Sequence, residues 1–241
     1  MIVTGGSRGL GLAIARRLIC DGYDVIAIAR RMNDELAETI ETAAHARAGS
    51  LRFVPFDLGA IAEIAALVRS IRRDSGPVHG LVNNAALGAS SILALMPTAD
   101  IERVVRLNTV SPIVLTKHVV RQMLADRGGR VVNVASIVGF TGYTGLSVYS
   151  ATKASLIGFT RSLAREVGRR RVTVNAVAPG FLDTDMTHGL ADDQRARVIR
   201  RSALQRLARV EDVAGAVGFL LGPSAGSITG TVVTVDAGST A

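Results

Sequence analysis

Short apolar runs alternate with longer amphipathic runs along the whole of this 241-residue chain. Residues 24–29 (DVIAIA) form a continuous apolar run after Asp24, which is typical of a strand buried on both faces. Similar short runs predict six more strands, at residues 1–4, 51–56, 79–83, 130–135, 172–177 and 231–235. Apolar residues that recur every three or four positions predict helices at 10–20, 34–47, 60–73, 98–126, 147–168 and 210–221.

This alternation of strands and helices predicts an α/β fold, a single Rossmann-type, doubly wound parallel sheet with helices on both faces. Hydrophobic residues make up 48% of the chain, which is enough for a substantial core. No linker or repeat divides the sequence, so we expect one domain over residues 1–241. Residues 181–209, which are polar and irregular, are expected to form a substrate lid.

The formal net charge is +8 and is carried almost wholly by arginine, since Lys117 and Lys153 are the only lysines. A basic chain suggests nucleic acid as a partner. Against this, aromatic residues make up only 4% of the chain, no nucleic-acid-binding motif is present and the arginines are scattered. We therefore expect no nucleic-acid partner. A small anionic cofactor or an acidic protein accounts for the charge equally well.

Cysteine and histidine usage indicates the compartment and argues against a metal site. Cys20 is the only cysteine, so no intramolecular disulfide can form and a reducing cytoplasm is expected. We expect Cys20 to pack within an apolar helix rather than to react. The four histidines lack ligand-like spacing, so no metal is expected. No signal peptide or membrane-spanning stretch is recognisable.

A glycine-rich turn joins the first predicted strand to the first predicted helix. The residues are TGGSRGLG (4–11), with glycines at 5, 9 and 11. Glycines let backbone approach a pyrophosphate, and the N-terminus of the following helix offers free N–H donors. In this context the motif predicts a dinucleotide site lined by Gly5, Ser7, Arg8, Gly9, Leu10 and Gly11. The alternative is an ordinary glycine-rich turn.

The end of the second strand indicates which nicotinamide cofactor binds. NAD-selective sites place an Asp or Glu about 20 residues after the glycine motif, to bind the ribose 2′-OH. Here the strand ends in Ala29-Arg30-Arg31, and Arg8 lies at the same end. Guanidinium groups pair with a 2′-phosphate, so the sequence favours NADP over NAD. The alternative is that Arg30 and Arg31 are solvated residues before a helix.

Four residues bear candidate catalytic groups. Tyr149 and Lys153 are four apart in a predicted helix and so share one face. To work as acid and base near neutral pH, a tyrosine needs its pKa lowered by about three units, which one nearby cation can supply. Ser136 follows the fifth strand, where its hydroxyl could hold a substrate oxygen. Asn108 is an unusual helix-interior residue unless its amide has a task. Taken singly, Tyr149 could be a core residue and Lys153 a solvated one.

Together these motifs resemble the short-chain dehydrogenase/reductase family. The resemblance spans the chain and rests on TGGSRGLG (4–11), Asp57-Leu58, NNAA (83–86), Asn108, Ser136, YSATK (149–153), PGFLDT (179–184) and TVDAG (234–238). It implies seven strands in the order 3-2-1-4-5-6-7. It also departs from the family pattern in two places: NNAA stands where NNAG is usual, and the first strand is unusually short.

By this resemblance, further residues bind the cofactor or act in catalysis. Asp57 would meet the adenine, Thr184 the carboxamide and Lys153 the nicotinamide ribose, while Asn108 would hold a proton-relay water. The cofactor cleft would be completed by Leu58, Asn83, Asn84, Ala85, Tyr149, Pro179 and Gly180. A homotetramer is also implied, built on helices 98–126 and 147–168 and on the C-terminal strand with helix 210–221.

Within the family, segments 156–167, 172–187 and 190–198 are most similar to 3-oxoacyl-[acyl-carrier-protein] reductases. The expected reaction is therefore NADPH-dependent reduction of a 3-oxoacyl thioester, with Tyr149 as general acid. The alternatives are an NADP(H)-dependent enzyme of a small ketone, alcohol or sugar, and a non-catalytic NADP-binding regulatory protein. Acyl carrier protein would dock near the mouth of the active site, at Arg127 and Arg170, with Arg169 and Arg171 beside them. These arginines are otherwise solvated helix-end cations.

Overall fold

A computed structural model describes residues 1–45, 48–126, 128–182 and 192–241, although not the side chains of 192–194. Its centre is a seven-stranded parallel sheet in the order β3-β2-β1-β4-β5-β6-β7. The strands are β1 (Ile2–Thr4), β2 (Val25–Ala29), β3 (Leu51–Pro55), β4 (Gly80–Asn83), β5 (Gly129–Val134), β6 (Val172–Pro179) and β7 (Val232–Val235). The predicted fold class and strand order are confirmed.

Helices connect the strands and cover both faces of the sheet. They are α1 (Gly9–Cys20), α2 (Asp34–His45), α3 (Ile64–Ser75), α4 (Thr98–Val105), α5 (Ser111–Ala125), α6 (Ser147–Val167), α7 (Asp192–Arg201) and α8 (Val210–Leu221). One core cluster packs α1, α2 and α8 on the sheet, and a second packs α3, α5 and α6 on the other face. No helix in the described ranges is long and apolar enough to cross a membrane.

The single helix predicted over residues 98–126 is interrupted. A π-helical segment, Arg106–Val110, separates α4 from α5. The physical reason lies in Pro112, at the start of α5, which has no N–H to donate to the carbonyl of Asn108 four residues earlier. The α-helical pattern of hydrogen bonds between residues four apart therefore cannot continue through this point. The wider π-helical turn places Asn108 in the core, where it is 1% exposed.

Cys20 does not pack as predicted. It lies at the last position of α1 and is exposed, whereas Leu18 and Ile19 are buried. The buried face of α1 does not include every residue of the apolar run in the sequence. Each residue of a helix is rotated by about 100° about the axis from the one before it, so Cys20 points away from the core. The prediction that Cys20 is a packing residue is therefore wrong.

A buried chain of amide and hydroxyl groups crosses the core below the carboxyl edge of the sheet. Asn83 Nδ2 on β4 donates to Thr116 Oγ1 on α5 and to Asn133 Oδ1 on β5, both at 2.8 Å. Asn133 Nδ2 in turn donates to Thr160 Oγ1 on α6 at 2.9 Å. All four side chains are buried, and Asn83 and Asn133 are paired in register. The chain thereby fixes α5 and α6 against the middle of the sheet.

Candidate active site

The glycine turn after β1 is fastened to the end of β4 through Thr4. Its hydroxyl donates to the carbonyl of Val82 at 3.2 Å and accepts from the backbone N–H groups of Asn84 and Ala85 at 2.9 and 3.0 Å. Asn84 Nδ2 donates back to the carbonyl of Thr4 at 2.9 Å. These bonds hold the predicted cofactor residues of two different loops side by side. Sequence reasoning did not identify Thr4, although it directly precedes the glycine pair.

The glycines of this turn each meet a separate backbone requirement. Gly5 and Gly9 have φ values of +65° and +52°, which side-chain-bearing residues rarely adopt. A Cβ on Gly11 would overlap the carbonyl oxygen of Gly5, so only glycine lets α1 pack this close to the turn. A Cβ on Gly9 would meet nothing within 4 Å, so the first turn of α1 faces open space. This is the geometry of an anion-binding helix N-terminus.

Three arginines lie at the predicted cofactor end of the site. Arg8 is the N-cap of α1, and Arg30 and Arg31 follow β2 directly. All three are exposed, and none makes an ion pair with a residue that the structure describes. The residues therefore fit a phosphate-bearing ribose, because their guanidinium groups are free to pair with it.

Asp57 lies beside these arginines, at the same edge of the sheet. It follows β3, which pairs with β2 so that Pro55 lies opposite Ala29. Its Oδ1 accepts the backbone N–H of Gly59 at 2.8 Å, which fixes the carboxylate at the start of the next turn. Leu58 is buried beneath it. An exposed carboxylate on an ordered turn can accept hydrogen bonds from an adenine amino group.

Tyr149 and Lys153 lie together in the first turns of α6. Lys153 Nζ is buried, donates to the carbonyl of Val134 at 2.8 Å and lies 5.5 Å from the centroid of the Tyr149 ring. Thr152, between them, donates from Oγ1 to the carbonyl of Tyr149 at 2.7 Å. The end of β5 therefore orients the ammonium group beneath the tyrosine.

Burial dominates the titration of both groups. It raises the pKa of Tyr149 to about 12 and lowers the pKa of Lys153 to about 8. The sequence instead predicts a lowered tyrosine pKa from the attraction of the lysine. That expectation counted the cation and omitted desolvation, which disfavours the charged form of each group. In the protein alone, Tyr149 is accordingly a neutral phenol at neutral pH.

Ser136 links the ends of two neighbouring strands at the carboxyl edge of the sheet. It follows β5, and its Oγ lies 3.4 Å from the carbonyl oxygen of Pro179, to which it donates, at the end of β6. It also caps the short turn that follows, which rests on α6, since a Cβ on Gly139 would lie 3.1 Å from the carbonyl carbon of Lys153. Ser136 and Lys153 are thus connected through one packed turn.

Asn108 has a positioning contact that the sequence did not reveal. Its Oδ1 accepts the N–H of Leu87 at 2.8 Å, and its Nδ2 donates to the carbonyl of Leu87 at 2.9 Å and to Thr152 Oγ1 at 3.3 Å. The amide thereby fixes the loop after β4 against the helix of Tyr149. The relay-water role implied by the family resemblance stays a prediction.

The three proposed docking arginines that the structure describes are not close to the mouth of their own subunit's active site. Arg169, Arg170 and Arg171 follow α6 and precede β6, so they lie at the opposite edge of the sheet from Ser136. α6 has 21 residues, which at 1.5 Å each separate its two ends by about 30 Å. The prediction that they flank this mouth is therefore wrong within one chain. Arg127 and Thr184 lie outside the described residues.

Comparison with known proteins agrees with this geometry. Residues 1–195 match the sequence profile of the short chain dehydrogenase family. A 3-oxoacyl-[acyl-carrier-protein] reductase of Salmonella typhimurium is 40% identical over 237 residues, covering 98% of this chain and 95% of that protein. The reductase of the same name from Pseudomonas aeruginosa is 41% identical over 239 residues, with the same coverage of both chains.

A solved structure shows the same architecture. The crystal structure of a proposed gluconate dehydrogenase from Agrobacterium tumefaciens superposes with a TM-score of 0.93 at 26% identity, covering 99% of this chain and 94% of that one. With the matching profile, these relatives show that the chain belongs to the short-chain dehydrogenase family and is an oxidoreductase that acts on CH–OH or C=O groups.

Proposed function

We propose that this protein reduces the 3-oxo group of an acyl-carrier-protein thioester with NADPH, producing the 3-hydroxyacyl thioester. The observation that carries the proposal is the buried Lys153 ammonium 5.5 Å from the Tyr149 ring, next to the turn that Ser136 begins. The substrate class is supported by relatives of that name at 40% identity over nearly the full length of both chains. Residues 181–209 would cover the substrate in a single-domain enzyme.

The reaction needs a hydride at the carbonyl carbon and a proton at the carbonyl oxygen. NADPH supplies the hydride when bound, held by the glycine turn, Arg30, Arg31 and Lys153. The Ser136 hydroxyl would exchange its 3.4 Å hydrogen bond to the Pro179 carbonyl for one to the substrate carbonyl oxygen, and so orient it. Tyr149 delivers the proton from its phenol, which a pKa of about 12 keeps protonated at neutral pH. The Lys153 ammonium, 5.5 Å from the centroid of the Tyr149 ring, would stabilise the resulting phenolate through the attraction of opposite charges.

A substrate panel tests this function directly. We expect the purified protein to oxidise NADPH with acetoacetyl and longer 3-oxoacyl thioesters, and to prefer the carrier-bound forms. The panel should include sugar-derived ketones, because the structurally similar Agrobacterium protein is described as a gluconate dehydrogenase. Higher kcat/KM for those ketones than for every thioester would reject the proposed substrate class. It would favour an NADP(H)-dependent enzyme that acts on a small ketone, alcohol or sugar.

Cofactor choice follows from the three exposed arginines at the end of β2 and in the glycine turn. We expect NADPH to bind at least tenfold more tightly than NADH, or about 1.4 kcal/mol. Ala29→Asp places a carboxylate where the 2′-phosphate would lie, and should weaken NADPH binding more than NADH binding. Fluorescence titration measures the dissociation constants of NADPH and NADH for both the unaltered protein and Ala29→Asp. Equal affinity of the unaltered protein for the two cofactors would disprove the preference.

The exposed face of α6 supports the proposed homotetramer. Ser147, Ala151, Ala154 and Gly158 are exposed, and a Cβ on Gly158 would meet nothing within 4 Å. Such small residues let a second helix approach closely. By contrast, the nearly all-apolar α8 is largely buried within its own subunit, with Phe219 48% exposed as the main exception.

Gly158→Arg should therefore break one interface without disturbing the fold of a subunit. It adds bulk and a charge near Arg161 at the middle of α6, where a two-fold axis would bring the two copies together. We expect light scattering at micromolar concentration to show a smaller assembly. Gly168→Arg is the matched control, since Gly168 is equally open but lies at the end of the helix. A monomeric mass for the unaltered protein would refute the tetramer.

Carrier docking at Arg127 and Arg170 is compatible with this assembly. If α6 of a second copy packs antiparallel across the middle of α6, its arginines come next to the first copy's Tyr149 end. Arg127 and Arg170 of one subunit would then lie beside the active site of another. Arg127→Glu with Arg170→Glu should raise KM for carrier-bound substrate, more so at higher salt, and leave a small thioester unaffected. Arg69→Glu, on the exposed face of α3, controls for charge alone.

The two outcomes that count against docking differ in meaning. An equal loss on carrier-bound and small thioesters would indicate damage to the fold rather than to an interface. No loss on either would remove the carrier protein as a partner at these arginines.

A further inference from the structure

Two aromatic rings from different loops meet at the carboxyl edge of the sheet. Tyr143 lies in the loop between Ser136 and Tyr149, and Phe181 follows β6 after Gly180. Their ring centroids are 5.2 Å apart and the planes are tilted by 56°. Resting on the proposed function, we infer that this pair forms the wall that holds the acyl chain of the substrate and limits its length.

Tyr143 lies on an ordered part of the loop that leads into α6. The backbone N–H of Leu146 donates to the carbonyl of Tyr143 at 3.2 Å, and the N–H of Ser150, in the first turn of α6, donates to Leu146 at 2.7 Å. The carbonyl of Gly145 accepts from the N–H of Ser91 at 2.9 Å, which fastens the loop to the one after β4. The ring is therefore carried on an ordered loop that leads directly into Tyr149.

Phe181 is fixed just as closely to the other side of the site. Pro179, two residues earlier, accepts the hydrogen bond of the Ser136 hydroxyl. Gly180 donates its N–H to the carbonyl of Val235 at 3.0 Å and packs so tightly on Asp236 that a Cβ would lie 2.7 Å from the Cβ of that residue. The backbone that carries Phe181 can therefore shift little relative to Ser136.

This placement decides what the pair can recognise. The reacting carbonyl must lie at Ser136 and Tyr149, and the two rings bridge the loops that hold these residues. Both rings are partly buried, and their centroids are separated by a distance within the range that favourable aromatic pairs adopt. Such a surface binds methylene groups and offers little to a polyhydroxylated chain. In the proposed site, an acyl chain that reaches the pair could extend further only by separating the two rings.

The inference is tested by kcat/KM along a series of 3-oxoacyl thioesters from four to twelve carbons, with NADPH. Tyr143→Ala removes half of the wall, so the ratio of the twelve-carbon to the four-carbon value should rise at least about tenfold. Phe181→Ala should raise it in the same way and serves if Tyr143→Ala fails to fold. Tyr143→Phe keeps the ring and should keep the unaltered ratio. Phe140→Ala is the control on the same loop, since that ring is half exposed and outside the pair.

An unchanged ratio in both alanine variants, with four-carbon turnover retained, would overturn the inference and leave the proposed function in place. A ratio that rises equally in Phe140→Ala would also overturn it, since the effect would then belong to the loop as a whole. If the unaltered protein turns over no 3-oxoacyl thioester of any length, the proposed function fails, and this inference fails with it.

Discussion

Tyr149→Phe is expected to lower kcat at least about a hundredfold, within the range that general acid–base catalysis contributes. The substitution removes the proton that the proposed reaction requires and keeps the ring that packs near Lys153. The dissociation constant for NADPH should stay nearly the same, because the proposed phosphate contacts come from the glycine turn and from Arg30 and Arg31. Stopped-flow or steady-state oxidation of NADPH and fluorescence titration measure the two effects separately.

Tyr23→Phe is the matched control, since it removes the same hydroxyl from a tyrosine that stacks with His79 away from the site. It should leave kcat unchanged. Substantial turnover in Tyr149→Phe would mean that another group delivers the proton, and the proposed mechanism would be wrong.

Lys153→Met is expected to abolish most turnover and, at the same time, to make the fold more stable near pH 7. Turnover falls because the ammonium that stabilises the Tyr149 phenolate is gone, and cofactor affinity should fall with it. Stability rises because the protein no longer buries a charged amine. The lowering of the lysine pKa from 10.5 to about 8 corresponds to a destabilisation of the fold by about 3 kcal/mol. The net gain from the substitution is smaller than this, because it also removes the hydrogen bond from Lys153 to the carbonyl of Val134.

The pH dependence of this effect has a definite sign. Between about pH 8 and 10.5 the unfolded chain holds a proton on Lys153 that the folded chain has released. Folding therefore becomes more favourable as the pH rises through that window, and below it the full cost of the buried charge is present. The stabilising effect of Lys153→Met should accordingly be largest at pH 7 and should have shrunk by pH 10.

Thermal unfolding at both pH values measures this difference. About 3 kcal/mol corresponds to several degrees in Tm for a chain of this length. Lys117→Met is the matched control, since Lys117 is exposed on α5 and is the only other lysine. Its Tm should be the same as that of the unaltered protein at both pH values. A lower Tm for Lys153→Met at pH 7 would show that packing and hydrogen bonding outweigh the buried charge.

The sequence was informative wherever spacing along the chain determines position in space. The alternation of runs predicted the strands, and the glycines at 5, 9 and 11 indicated the turn that the structure shows. The interval of four between Tyr149 and Lys153 likewise placed the two side chains on one helical face.

Properties that depend on packing across the fold were not predictable in this way. The pKa of Tyr149 moves up rather than down, because burial cannot be read from the residues beside it in sequence. The π-helical segment before Pro112 places the Asn108 amide against Leu87, which is 21 residues away in sequence. The arginines after α6 lie at the far edge of the sheet for a topological reason, since a helix between parallel strands must run back across the sheet.

The chain of buried amides and hydroxyls through Asn83, Asn133, Thr116 and Thr160 affects how this enzyme can be diversified. Asn133→Leu alone would remove one of the two acceptors of the Asn83 amide and the donor to the Thr160 hydroxyl inside the core, and each buried hydrogen bond left unmade costs about 1–3 kcal/mol. Replacing all partners together by apolar groups of similar shape removes that cost. A library that samples one position at a time would therefore find these sites intolerant, whereas one that varies the four together could recover folded and altered enzymes.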